Sequence, residues 1–246
     1  NPLYALDFKA LLSVKPFTIT VTLNFSFHLF LMKKTIPLVM ASIYRIAGNI
    51  WNDPYVYLVG SATYKSNPRD IDILVITNST RGGQLKKMYM DLTERFGERV
   101  KIATQYYGGC SDRVVGGGGI WVGVLSTQDL YNVPAVLRRT WRENYIAYRS
   151  PPLEHVMPPA EITLGHVLYG PYGVEFCKKH LAKGWLEEIV LDRESFVNRR
   201  VQLNDSQKEF LRQYCLKWAL RNLEAVGAPP SIKASVVKEL AFNGNS

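Results

Sequence analysis

"VYLVGSATYKSNPRDIDILVIT", residues 56–77, sets two apolar runs on either side of a Gly-Ser turn and puts Asp70 and Asp72 inside the second run. Residues two apart in a strand share a face, so Asp70 and Asp72 project side by side while Ile71 and Ile73 turn to the core. Two like charges in an apolar strand repel one another, and each needs a partner. Carboxylates spaced about 6–7 Å along a strand suit Mg²⁺, which takes hard oxygen ligands and leaves room for substrate phosphates. Gly60 allows a backbone conformation that other residues resist, and N–H groups at the start of a helical turn attract phosphate oxygens. Ser61 adds a hydroxyl in the same place. The alternative is an ordinary turn followed by a strand end whose aspartates are solvated.

The flanking sequence reads as an α/β unit. In "PLVMASIYRIAGNIW", residues 37–51, Val39, Ile43, Ile46 and Ile50 form one apolar helical stripe behind a first-turn proline. Asn52-Asp53-Pro54 ends that helix, and "YVYLVG" and "DIDILVI" follow as strands. "QLKKMYMDLTERFG" is an amphipathic helix closed by Gly97, and "RVKIATQYY" is the next strand. The glycine-rich "GGCSDRVVGGGG" is a loop, and its four consecutive glycines lack the Lys-Ser/Thr of a Walker motif. "IWVGVLS" is a strand placed at the sheet edge. From Val133 the pattern turns helical, with helices expected over "VPAVLRRTWRENYIAY", "GVEFCKKHLAKGWLEEIV" and "SQKEFLRQYCLKWALRNLEAV". The expected fold is therefore α/β (α+β), a small mixed sheet followed by a C-terminal helical domain. Residues 1–31 form an extension with no assigned role, 32–130 the sheet domain and 131–246 the helical domain.

The extension has three readings. Thr18 to His28 alternate polar and apolar like an edge strand, whereas "MKKTIPLVM" from Met32 looks like an ordinary amino terminus. A secretory signal ranks third, because the stretch lacks a basic start and a small-residue cleavage site. The charge-free run between Lys15 and Lys33 is interrupted by polar residues and short for a membrane helix, so no membrane partner is expected.

Composition narrows the classes further. The 246 residues are 47% hydrophobic and 21% charged, as in soluble globular proteins. Thirty Lys and Arg against 21 Asp and Glu leave a net charge of +9, which suits an anionic partner such as a nucleotide or nucleic acid. Cys110, Cys177 and Cys215 are scattered and odd in number, which points to a reducing, cytoplasmic setting and away from a disulfide framework or structural zinc. His28, His155, His166 and His180 lack HExxH spacing.

On "LVGSATYKSNPRDIDILVI" the chain resembles the DNA polymerase β-like nucleotidyltransferase superfamily: an apolar residue, Gly-Ser, a spacer, then Asp-x-Asp in an apolar strand. The resemblance spans residues 37–107, and only the central twenty or so are motif-specific. It implies that Gly60 and Ser61 hold the β and γ phosphates of a nucleoside triphosphate, while Asp70 and Asp72 bind Mg²⁺ (or Mn²⁺). It also implies attack of an acceptor hydroxyl on the α-phosphorus, with pyrophosphate leaving. The acceptor is left open among small molecules, proteins and RNA. The alternative function is a catalytically inactive relative that binds nucleotide or nucleic acid.

Two features depart from the family pattern. The spacer between Ser61 and Asp70 is short, residues 62–69. The family also places a third carboxylate on the next long strand, where "RVKIATQYY" offers Lys101, Ala103 and Gln105; Glu98 and Asp112 are the nearby acids. Lys65 and Arg69 either reach phosphates or stand in a solvated turn. Lys208, Arg212, Lys217 and Arg221 fall near one helical face, which either closes over the triphosphate or binds nucleic acid, or is simply solvated. Tyr106 and Tyr107 either stack a base or cap the sheet.

Overall fold

The strand that carries the two aspartates lies at the centre of a five-stranded mixed sheet in a computed structural model of the chain. The structure describes residues 35–66, 68, 70–97, 100–103, 119–192 and 195–242. Helix α1 covers 35–48. It is followed by β1 (Tyr55–Val59), a 3₁₀ turn (Gly60–Thr63), β2 (Asp70–Thr77), α2 (Gly82–Phe96), β3 (Val100–Ala103) and β4 (Gly119–Ser126). After a second 3₁₀ turn (Asp129–Asn132) come α3 (Ala135–Glu143), β5 (Tyr145–Tyr148), a single helical turn at Leu153–Val156, α4 (Leu164–Tyr169) and α5 (Val174–Lys183). The hairpin β6 (Trp185–Asp192) and β7 (Ser195–Gln202) precedes α6 (Asp205–Ala225) and α7 (Pro230–Phe242). The fold is mixed α/β, as the sequence leads one to expect.

The sheet order is β3-β4-β2-β1-β5, with β2 antiparallel to β1 and parallel to β4. Apolar residues on both faces of β2 suit it to this central place, because each face receives its own layer of helix. Ile71, Ile73 and Val75 pack with Val39, Ile43 and Ala47 of α1 and with Leu85, Met88 and Leu92 of α2. Leu74 and Ile76 enter the second core, with Tyr57, Val59 and Leu125 of the sheet and with Trp141, Cys177, Leu211 and Cys215 of the C-terminal helices. Asp70 and Asp72 thus stand on the face covered by the C-terminal half, at the start of the strand.

Three expectations about elements are corrected. The stretch 133–148 is not one helix: α3 stops at Glu143, Asn144 turns extended, and "YIAY" becomes β5, hydrogen-bonded antiparallel to β1. The exposed ladder of β1 gives this short aromatic segment the partner that favours strand over helix. The stretch 173–190 is likewise divided. Gly184, at φ +71°, closes α5 by donating its N–H to the carbonyls of His180 and Leu181, and the chain leaves as β6. Finally, β4 is interior, between β2 and β3, and its Val122, Val124 and Leu125 are almost wholly buried. Among the described strands the edges are β3 and β5. The sheet therefore takes one edge strand from beyond residue 130.

Local signals act where they are strongest. Asn204 caps α6: its Oδ1 accepts the Gln207 N–H at 2.9 Å, and Gln207 Oε1 accepts the Asn204 N–H at 2.9 Å. Asn204→Ala is expected to lower stability by about 1 kcal/mol in urea titration, with an unchanged m-value.

His180, in the last turn of α5, is buried with its Nδ1 3.1 Å from the Trp185 carbonyl and its ring 4.4 Å from that of Phe176. Burial pushes its pKa down, the Trp185 carbonyl pulls it back up, and Lys179 and Lys183 push it lower. The folded value thus lies below the unfolded one, which is about 6.5. Between those two values the unfolded chain binds a proton that the folded chain refuses. Stability is expected to be undiminished above about pH 6.5 and to fall as pH drops through that window. His180→Gln should flatten that part of the thermal-midpoint profile.

Candidate functional site

Strand pairing builds the site. Val59, the last residue of β1, lies opposite Asp72, so the chain enters the Gly60–Thr63 turn directly beside that carboxylate. Gly60 has φ +74°, a left-handed conformation that a side chain resists. A Cβ on Gly60 would lie 3.3 Å from Asp72 Cγ and nearer still to Oδ2. Glycine is required here twice over, by its backbone angle and by the carboxylate pressed against its α-carbon.

The turn is tied internally. Thr63 Oγ1 donates to the Gly60 carbonyl at 2.7 Å, and the Lys65 N–H donates to the Ser61 carbonyl at 2.8 Å. Asp70 is buried, with 7% of its surface exposed, and Asp72 and Ser61 are half-buried. Both carboxylates interact with groups beside them. Lys65 is exposed. Arg69 lies outside the described residues, as do Glu98, Gln105, Tyr106, Tyr107, Cys110 and Asp112. The structure thus brings together Gly60, Ser61, Asp70 and Asp72, and it leaves Lys65 at the rim.

The neighbour of β2 on its other side is β4, not the strand of Lys101. Asp72 lies opposite Trp121 of β4, which lies opposite Lys101 of β3, so these three residues form one row on one face. The Lys101 ammonium sits over the Trp121 ring, 5.7 Å from its centroid. Asp70 lies opposite Gly119. Beside both aspartates β4 thus offers an aromatic residue and a glycine, with no acid. Trp121 is the site-facing residue that sequence reasoning missed; the alternation of "GIWVGVLS" signals a strand but not which strand it adjoins. Asp129 is no substitute. It accepts from the Ser126 N–H at 2.9 Å and from the Ser126 hydroxyl at 2.6 Å, at the opposite end of β2.

The basic residues of α6 are not one face. Lys217 stands about two and a half turns beyond Lys208, on the other side of the helix. Lys208 pairs with Asp205 at 3.3 Å, Arg212 pairs with Glu209, and Arg221 reaches across to Glu143 of α3 at 2.6 Å. Lys217 is exposed. The spacing of four, five and four splits the set into two pairs.

Asp70 and Asp72 offer hard oxygen donors on one face, with a side-chain-free α-carbon next to them. That donor set fits Mg²⁺ or Mn²⁺, ions that keep part of their shell as water and substrate oxygen. It is not a closed metal cage, since the described residues contain no cluster of three or more His, Cys, Asp or Glu able to hold an ion. No described helix is long and apolar enough to cross a membrane. The chain matches no protein-family model and no curated protein.

Proposed function

We propose that this chain is a metal-dependent nucleotidyltransferase that moves a nucleoside monophosphate from a nucleoside triphosphate to an acceptor hydroxyl. The observation that carries the reading is the contact of the Asp72 carboxylate with the left-handed Gly60 at the mouth of the Gly-Ser turn. Donors for phosphate and acids for a cation meet there on adjacent strand ends. The backbone N–H groups after Gly60 and the Ser61 hydroxyl bind phosphate oxygens, and Lys65 adds positive charge at the rim. Asp70 and Asp72 hold Mg²⁺ or Mn²⁺, which when bound neutralises charge on the triphosphate and on the departing pyrophosphate. Trp121 walls the side of Asp72 away from the turn. The acceptor, a small molecule, protein or RNA, meets the site from the face that the C-terminal half covers. The odd number and wide spacing of the cysteines in the sequence support a reducing, cytoplasmic location.

The second reading is nucleotide or nucleic-acid binding without transfer, and one observation favours it. Trp121 and Lys101 continue the row from Asp72 where the superfamily resemblance calls for a third acid, the group that would take the acceptor's proton. Labelled nucleoside triphosphates with Mg²⁺ or Mn²⁺, with and without cell extract, separate the two. Pyrophosphate release that disappears in Asp70→Asn and Asp72→Asn supports the transferase. No turnover, with nucleotide binding indifferent to both substitutions, overturns it and leaves binding alone.

A further inference from the structure

Away from the Gly-Ser turn, α3 and α6 enclose a small cleft, open to solvent, lined by Arg139, Thr140, Ile162, Trp218, Arg221 and Asn222 among others. A single carboxylate sets its charge. Glu143 accepts from Arg139 Nε at 2.8 Å and from Arg221 Nη2 at 2.6 Å, so two guanidinium groups are pinned by one acid and the trio keeps a net charge of +1. Each guanidinium has five N–H donors, and the bond to Glu143 occupies one of them. Arg221 also lies over the Trp218 ring, 5.6 Å from its centroid.

Asn222, which is 6% exposed, lines the same cleft as the two arginines. Its side chain brings an amide donor to it. Thr140 is already committed, since its hydroxyl donates to the Val136 carbonyl at 2.9 Å. The donors left facing the cleft are two guanidinium groups and the Asn222 amide. That set matches an acceptor-only, negatively charged group.

We propose that the cleft between α3 and α6 binds a small oxyanion, the phosphate or carboxylate group of a ligand. It is separate from the Gly60–Ser61 turn and does not rest on the transferase reading. The test follows the side-chain amide signals of Asn222 in ¹⁵N-labelled full-length protein during titration with inorganic phosphate and, separately, acetate, at constant ionic strength. A saturable shift with phosphate alone identifies a phosphoryl group, and one with both identifies any oxyanion of that size. Arg139→Gln/Arg221→Gln should weaken the response by about tenfold or more. Asn222→Asp, which puts a negative charge inside the cleft and removes the reporting amide, should abolish the matching shift of the Trp218 indole N–H signal, followed in parallel in both proteins. Asp72→Asn should leave it intact, which separates this site from the turn. No saturable shift in the wild-type protein means that water alone fills the cleft, and this overturns the proposal. An undiminished response in the arginine double variant or in Asn222→Asp overturns it as well.

Discussion

Asp72→Asn is expected to lower nucleotidyl transfer by on the order of 10³-fold while leaving the fold intact, and Asp70→Asn should do the same. The substitution keeps the shape of the side chain and removes its charge, so the Gly60 contact and the pairing with Val59 and Trp121 persist. Loss is expected in kcat more than in nucleotide affinity, because the carboxylates act on charge that develops as pyrophosphate departs. Stability should move the other way. Asp70 is buried and shares a face with Asp72, so neutralising either relieves repulsion between like charges. An unchanged or raised thermal midpoint together with lost pyrophosphate release marks these residues as held for chemistry. A marked fall in midpoint with activity retained would make them structural, and the transferase reading would fail.

The stretch around these residues was readable because its signals are local. A two-residue period, a Gly-Ser break and an uninterrupted apolar run each constrain the chain within a few residues. Residues 70–77 form the strand, Ile71 and Ile73 face the helices of the N-terminal half, and Val39, Ile43 and Ile46 line the buried side of α1. The helices end earlier than their local pattern suggests for a different reason. "YIAY" becomes strand because β1 has an open edge ninety residues earlier in the chain, which no window of local sequence contains. "WLEEIV" was separable in principle, since Gly184 ends α5 in the left-handed conformation typical of a helix terminus.

Strand order is non-local in the same sense. The sequence shows that β3 and β4 are strands, but only their pairing shows that β4 lies between β3 and the aspartates. That pairing moves the question of the third acid from Lys101 to Trp121, the residue that faces Asp72 directly. The basic residues of α6 depart from one face for a simpler geometric reason, because an interval of five carries a helix position well past the line that intervals of four follow. Arg221 pairs across to Glu143, which also pairs with Arg139, and both arginines line the cleft.

Gly60→Ala should abolish activity and also destabilise the protein, and the two losses have separable causes. At φ +74° an alanine costs about 1–2 kcal/mol wherever it stands. Gly184, at φ +71° with nothing within 4 Å of its would-be Cβ, isolates that cost: Gly184→Ala should destabilise by this amount and leave transfer untouched. At Gly60 the new methyl meets Asp72 as well, in contact with Cγ at 3.3 Å and closer to Oδ2. The β1–β2 ladder fixes the backbone on both sides, so the carboxylate must swing away, and its displacement removes the donor from its place beside the turn. Activity should therefore fall as far as in Asp72→Asn. The double variant Gly60→Ala/Asp72→Ala tests the cause, because deleting the carboxylate removes the clash but not the strained backbone angle. Its stability should exceed the sum of the two single effects, with a coupling energy on the order of 1 kcal/mol, while transfer stays absent. Strict additivity would mean that Gly60 and Asp72 do not press on one another, and the contact on which the functional reading rests would be lost with it.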